Sequence, residues 1–271
     1  MNIGMIGCGN MGGALARAIT QSLHYKNDHL SLADAFPEKA TALAAELSAD
    51  TADNITIAEF SDFIFLGIKP QMMAGMLAEI APVLAARAGR QERFVLVSMA
   101  AGLSVEKISS MAQGDYPVIR IMPNTPAQVG QGMILYTANV KVSAHEEASF
   151  VRIMENAGVL DKLPEHLIDA GSAVSGCGPA FVCLFLEALA DGGVACGLPR
   201  DKAMLYAAQT LKGTAELVMT SHQHPGALKD AVCSPGGSTI AGVQALEESA
   251  FRAAAMKAVA AAYKRTVELG K

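Results

Sequence analysis

Residues 2–12 leave this chain few folds to choose from. An apolar run at 2–6, short enough for a buried strand, leads without a spacer into Gly7-Cys8-Gly9-Asn10-Met11-Gly12. Apolar residues then recur at helical spacing, at Met11, Leu15, Ala18 and Ile19. Glycines so spaced between a strand and a helix have distinct tasks. Gly7 permits the tight turn, Gly9 lets backbone approach a pyrophosphate, and Gly12 lets helix and strand pack closely. The first N–H groups of the helix and its partial positive charge suit phosphate oxygens. The segment therefore reads as a dinucleotide-binding turn, with Asn10 and Met11 inside it.

Such a turn needs an alternating chain behind it. Further strands are expected at 30–33, 63–68, 94–98, 118–122 and 133–138, and helices at 11–23, 37–47 and about 71–86. Residues 63–68 are almost wholly apolar, as a strand covered on both faces must be. Strands separated by helices imply parallel pairing, so the first half is expected to be α/β, a doubly wound Rossmann-type parallel sheet. Past residues 161–164 no strand pattern remains. Ala-rich helical segments at 179–196, 199–220 and 250–269 each follow a Pro, Gly or Ser stop signal. The expected domains are thus 1–160, which binds the dinucleotide, and 161–271, an all-helical domain. Its helices are apolar nearly all round (Ala180, Val182, Leu184, Phe185, Leu186, Ala188, Leu189). A domain this small cannot bury them alone, so subunits are expected to pack through it.

Composition excludes several function classes. Lys and Arg number 21 against 26 Asp and Glu, a net charge of −5, with no Trp and only 5% aromatic residues. Neither an electrostatic footprint for nucleic acid nor a base-stacking platform is expected. The richest apolar stretch, 181–190, is interrupted by Glu187 and closed by Asp191, so no membrane span is expected. The chain enters its first strand with no basic leader, so no signal peptide is expected. Cys8, Cys177, Cys183, Cys196 and Cys233 are an odd number, scattered, with no Cys-x-x-Cys pair. Neither a metal centre nor a disulfide framework is expected, and a reducing, cytoplasmic setting fits.

Asp34, at the end of the second expected strand, suits ribose hydroxyls and repels a 2′-phosphate. No Arg follows it; in 35–39 only Lys39 is cationic. NADH and NADPH both stay open. Loops after the later strands should line the same crevice: Ile68-Lys69-Pro70, Ala100-Ala101-Gly102, and Pro123-Asn124, in a loop where Pro123 and Pro126 bracket Asn124 and Thr125. Lys69 reads either as a functional cation or as a surface lysine. In the helical half, Ser234-Pro235-Gly236-Gly237-Ser238-Thr239 places two glycines and two hydroxyls before a helix. That makes a nest of N–H groups for a carboxylate, or equally a capped turn with no ligand.

Further blocks sharpen the reading: Lys69-Pro70-Gln71, 120–126 (Arg-Ile-Met-Pro-Asn-Thr-Pro), 175–179, His224-Pro225-Gly226, and 234–239 followed by Leu246-Glu247. With Gly7–Gly12 they make the chain resemble, essentially end to end, the Δ1-pyrroline-5-carboxylate reductases. The resemblance implies hydride transfer from NADPH or NADH to the C=N bond of 1-pyrroline-5-carboxylate, giving L-proline in the last step of proline biosynthesis. It implies that Thr239 bonds the ring nitrogen and that N–H groups of Gly237, Ser238 and Thr239 hold the carboxylate. Val232 would pack on the ring, and Ser234 and Gly236 would complete the substrate loop. It also implies homodimers, in many members assembled as a decamer of five dimers. One departure concerns the cofactor: many members carry Asn or Ser followed by Arg where this chain has Asp34-Ala35.

The residue types agree with that chemistry. A cyclic imine is basic enough to be largely protonated near neutral pH, so orientation and fixed dipoles suffice without a strong acid. A β-hydroxyacid dehydrogenase would need a Lys on the helix after its second glycine turn, and 179–187 has none. A silent dinucleotide-binding protein would not need the 234–239 block. His222, His224 and Cys233 read as structural.

Overall fold

The computed structural model describes residues 1–23 and 28–269. It forms two compact units, one from Met1–Cys177 together with the chain from Ala262 on, the other Gly178–Ala261.

The first unit is built on one eight-stranded sheet. In chain order its strands are β1 (Asn2–Ile6), β2 (His29–Ala33), β3 (Asp50–Thr51), β4 (Phe63–Leu66), β5 (Val95–Ser98), β6 (Val118–Met122), β7 (Gly132–Ala138) and β8 (Gly158–Lys162). Their spatial order is β3-β2-β1-β4-β5-β6-β7-β8. The chain therefore winds outward one way from β1 and the other way from β4, and the carboxyl ends of those two strands open a crevice. The connecting helices are α1 (Asn10–Ser22), α2 (Pro37–Leu47), α3 (Asn54–Phe60), α4 (Pro70–Gly89), α5 (Val105–Met111), α6 (Ala144–Met154) and α7 (Glu165–Ser175). The expected positions of β1, α2 and β6 match residue for residue.

Strand pleat explains the two-sided core. Phe63 and Phe65 of β4 pack with Leu15 and Ile19 of α1, while Ile64 and Leu66 pack with Ile57 of α3 and Met73, Leu77 and Ile80 of α4. Each face is covered, as the unbroken apolar run required.

Two expectations need correction. Uniform parallel pairing fails at β6–β7, which is antiparallel. Only residues 123–131, with one 3-10 turn at Thr125–Val129, join these strands, too short a link for a parallel crossover. The α6 crossover then returns β8 parallel to β7. Secondly, a boundary at 160/161 would cut β8, and the units divide at Cys177/Gly178 instead. The reason is α7: Ile168 is fully buried with Met122 and Leu135, so this helix belongs to the sheet.

The helical unit holds α8 (Gly178–Ala195), α9 (Arg200–Ser221), α10 (Pro225–Ala231), α11 (Ser238–Glu248) and the first part of α12 (Phe251–Leu269), up to Ala261. Helices α8 and α9 form a hairpin around Ala190, Ala203 and Ala207, with an Asp191–Arg200 ion pair near its turn. The Phe185 and Phe251 rings lie 5.3 Å apart. By length and composition, Pro70–Gly89 and the broken run Glu165–Ala195 are apolar enough to cross a membrane. The first spends Met73, Leu77, Ile80 and Leu84 on the sheet core.

Candidate active site

The dinucleotide turn has the geometry its glycines promise. Gly7 sits at φ +106°, where an L side chain is strained, and a Cβ there would lie 2.5 Å from the Gly67 carbonyl oxygen. A Cβ on Gly12 would lie 2.0 Å from the carbonyl oxygen of Gly7. Around Gly9 the opposite holds: nothing lies within 4 Å of a Cβ position. Gly9 is also the N-cap of α1, which carries no side-chain cap and no acidic residue in its first turn. An open backbone and a helix start without anionic competition fit a pyrophosphate. Asn10, Met11 and Gly12 form that first turn.

Asp34 is fixed against the same turn. Its Oδ2 accepts the Cys8 N–H at 2.7 Å and its Oδ1 accepts the Phe36 N–H at 2.9 Å. The negative charge is thereby held at the end of β2, beside the glycines. Burial, and after it the charge of Asp34, push the Cys8 thiol up to about 11. Two hollows flank this point. A groove of about 560 Å³ is lined by Cys8, Gly9, Asn10, Arg17, Lys39 and Gln128, among others. Arg17 is forked onto Glu46 there, at 2.6 and 2.7 Å. Lys39 places its Nζ 4.6 Å from the centroid of the exposed Phe36 ring. On the other side, about 360 Å³ is lined by Asp34, Asp53, Asn54 and Glu79, among others.

The loops after β4, β5 and β6 rise from the same sheet edge. Ile68 is half-buried, Lys69 is exposed and caps α4, and Pro70 takes the first helical position. Ala100 is buried, Ala101 exposed, and Gly102 turns at φ +75°. Pro123 and Asn124 are both buried. Asn124 does not present an idle amide: Nδ2 donates to the Ser175 carbonyl at 2.9 Å, and Oδ1 accepts the Met133 N–H at 2.9 Å.

The second group of expected residues lies in the helical unit. Val232 ends α10 and is exposed. After it the chain turns through Ser234 and Gly236, at φ +68°, with the Gly237 N–H bonded to the Ser234 carbonyl at 3.0 Å. A Cβ on Gly237 would fall 2.4 Å from Ser234 Oγ. Gly237 is the N-cap of α11, again without a side-chain cap or an acidic residue in the first turn. Ser238 and Thr239 are the first two helical residues, both exposed. The first N–H groups of α11 thus have no side-chain cap.

The sequence reading named Arg120 only as part of the 120–126 block, without a role, and passed over Glu165 and Asp169. Arg120 Nη2 donates to Asp169 at 2.6 Å and Nη1 to Glu165 at 3.4 Å. The one available signal was a guanidinium inside an otherwise apolar strand, Val-Ile-Arg-Ile-Met.

Known proteins share this organisation. The family description "Pyrroline-5-carboxylate reductase dimerisation" matches residues 165–269, and "NADP oxidoreductase coenzyme F420-dependent" matches residues 2–102. A pyrroline-5-carboxylate reductase of Synechocystis sp. is 40% identical over 272 residues, covering 100% of this chain and 99% of the relative. One from Escherichia coli K12 is 37% identical over 270 residues, 99% and 98% of the two chains. A pyrroline carboxylate reductase from Plasmodium falciparum, solved with NADP bound, superposes with a TM-score of 0.87 at 32% identity, over 100% of this chain and 98% of that one. Since the likeness runs through the glycine turn, the sheet and the helical unit alike, the chain belongs to the pyrroline-5-carboxylate reductase family.

Proposed function

We propose that this chain reduces 1-pyrroline-5-carboxylate to L-proline at the expense of NADPH or NADH. One observation carries the site assignment: α11, like α1, starts from a glycine N-cap with no side-chain cap and no acidic residue in its first turn. Two anion-binding helix starts in separate units suit a reductant with phosphates and an acceptor with a carboxylate. Gly7, Gly9, Asn10, Met11, Gly12 and Asp34 would hold the adenosine and pyrophosphate half of the cofactor. Ile68–Pro70, Ala100–Gly102 and Pro123–Asn124 would bound its other half. When bound, the reduced nicotinamide supplies a hydride.

The chain's own groups do the rest. The N–H groups of Ser238 and Thr239 hold the substrate carboxylate, while Gly237, whose N–H is taken by the Ser234 carbonyl, shapes the turn, and Val232 covers the ring. The Thr239 hydroxyl accepts the N–H of the protonated imine and so fixes the ring's orientation. No strong acid is required, because the imine nitrogen already carries its proton. The enzyme acts as a homodimer in the cytoplasm and closes proline biosynthesis, with five dimers joining as a decamer; family resemblance supports these points. The helical unit, Gly178–Ala261, supplies the dimer contacts and the substrate loop. Purified protein with 1-pyrroline-5-carboxylate and each reduced cofactor should consume nicotinamide absorbance and yield L-proline. Folded protein that oxidises neither cofactor overturns the assignment.

A further inference from the structure

Helix α7 lies within the segment matched as dimerisation, yet it packs with the sheet. Its polar contacts include Arg120 within β6, Val105 beyond β5 and Asn124 just past β6. Glu165 Oε1 accepts the Val105 N–H at 2.8 Å, fastening the loop that follows Ala100–Gly102. The same carboxylate and Asp169, one turn later, receive Arg120, whose side chain is 4% exposed and whose Nε has no partner. Ser175, the last residue of α7, offers its carbonyl to Asn124 Nδ2. Ile168 fills the space between these ties, against Met122 and Leu135. One helix thus grips both loops that bound the far half of the cofactor crevice, while the glycine turn and Asp34 lie on other elements.

We infer that Asn124 and Arg120 are positioning residues: through α7 they hold the loops after β5 and β6 in place for the nicotinamide half of the dinucleotide. Asn124 is 8% exposed and its amide oxygen and nitrogen each hold a backbone group, so its part is to fix the turn between two prolines. Arg120 is 3% exposed and acts only through Glu165 and Asp169. Loops braced on a packed helix keep their shape without paying ordering entropy when ligand arrives.

The inference rests on the dinucleotide reading of the sheet unit, and the test separates the two. Calorimetric titration compares NADH with ADP-ribose, which lacks the nicotinamide; no imine substrate is present. If the unaltered chain binds neither ligand, the dinucleotide reading itself fails, and the inference with it. Asn124→Ala removes both backbone ties and should weaken NADH at least about tenfold, leaving ADP-ribose within about twofold. Asn124→Asp keeps the acceptor for Met133 but loses the donor to Ser175, and should do the same. The double variant Arg120→Met with Asp169→Asn removes the buried cation and its nearer carboxylate together, and Glu165, 36% exposed, keeps the Val105 N–H, so no buried charge is stranded. It should reproduce the selective loss of NADH although neither residue belongs to the crevice loops. Selective loss in the Asn124 variants alone would make Asn124 a direct contact and overturn the brace. Equal loss of both ligands would mean general damage to the fold, and no loss would mean no role; either overturns it.

Discussion

Thr239 opens α11 with its hydroxyl exposed, and the proposed chemistry asks it for one hydrogen bond to a cationic ring nitrogen. Such a bond contributes about 1.5–3 kcal/mol. Thr239→Val should therefore lower kcat/KM by roughly ten- to a hundredfold, with cofactor affinity unchanged. Ser238→Ala should do much less, since only its N–H is assigned to the carboxylate. Steady-state kinetics decide it: wild-type efficiency in Thr239→Val removes that residue from the site. Asp34 carries the cofactor question, since both its oxygens are pinned by N–H groups and its charge cannot swing away from a 2′-phosphate. Asp34→Ser with Ala35→Arg should raise the ratio of kcat/KM for NADPH over NADH. An unchanged ratio would place discrimination elsewhere, with Lys39 beside Phe36 the next residue to vary. Cys8 supplies a pH prediction. With its thiol pushed up to about 11, the reactive thiolate is scarce at pH 8. Its alkylation, followed by peptide mass spectrometry, should climb about tenfold per pH unit from 8 to 10. A plateau below pH 9 would contradict the burial and charge that suppress ionisation.

At the scale of elements, the β1–α1 turn has the least room to vary. Gly12→Ala drives a methyl into the Gly7 carbonyl, whose own position is set by Gly67. Backbone cannot yield as a flexible side chain does, so the cost should sit at the upper end of about 1–3 kcal/mol for overpacking. Denaturant melts of Gly12→Ala should show that loss together with weakened NADH; a stable variant with normal affinity would mean that the turn relaxes. This turn was legible from residues because three glycines, a strand and a helix constrain one another. β4 was legible for a related reason, since a strand covered twice has no polar face to confuse. Helices α3 and α5 were not: each has seven residues and buries only one or two of them, Ile57 and Ala58 or Ile108, too few to show a period. β8 was hidden because Asp161 and Lys162 sit on an edge strand that is mostly exposed. The antiparallel β7 depended on the length of a loop, and apolar runs carry no strand direction. In the site, residue types announced Gly7–Gly12 and Ser234–Thr239, whereas the Asn124–Ser175 tie joins residues whose proximity only the packing of α7 creates.

For the whole molecule, the helical unit poses a problem of core size. Among its described residues only Ala190, Ala203 and Ala207 are buried. Three buried alanine side chains are a thin apolar core for the 178–261 unit, since hydrophobic burial is the main favourable term in folding. Meanwhile Leu184 is 69% exposed, Leu205 57% and Met256 73%. Apolar surface on this scale marks an interface, and an obligate one buries about 2,000 Å² or more. The chain should therefore be a dimer at micromolar concentration by light scattering, and its melting temperature should rise with protein concentration, because association stabilises the folded state by mass action. Leu184→Glu or Met256→Glu should lower the melting temperature or release monomers in which the helical unit exchanges its amide hydrogens quickly. Those monomers should still bind ADP-ribose, because the sheet unit has its own two-sided core. A monomeric chain at micromolar concentration, with a melting temperature independent of dilution, would mean that the exposed helices are stable in water and that the interface is not what folds them.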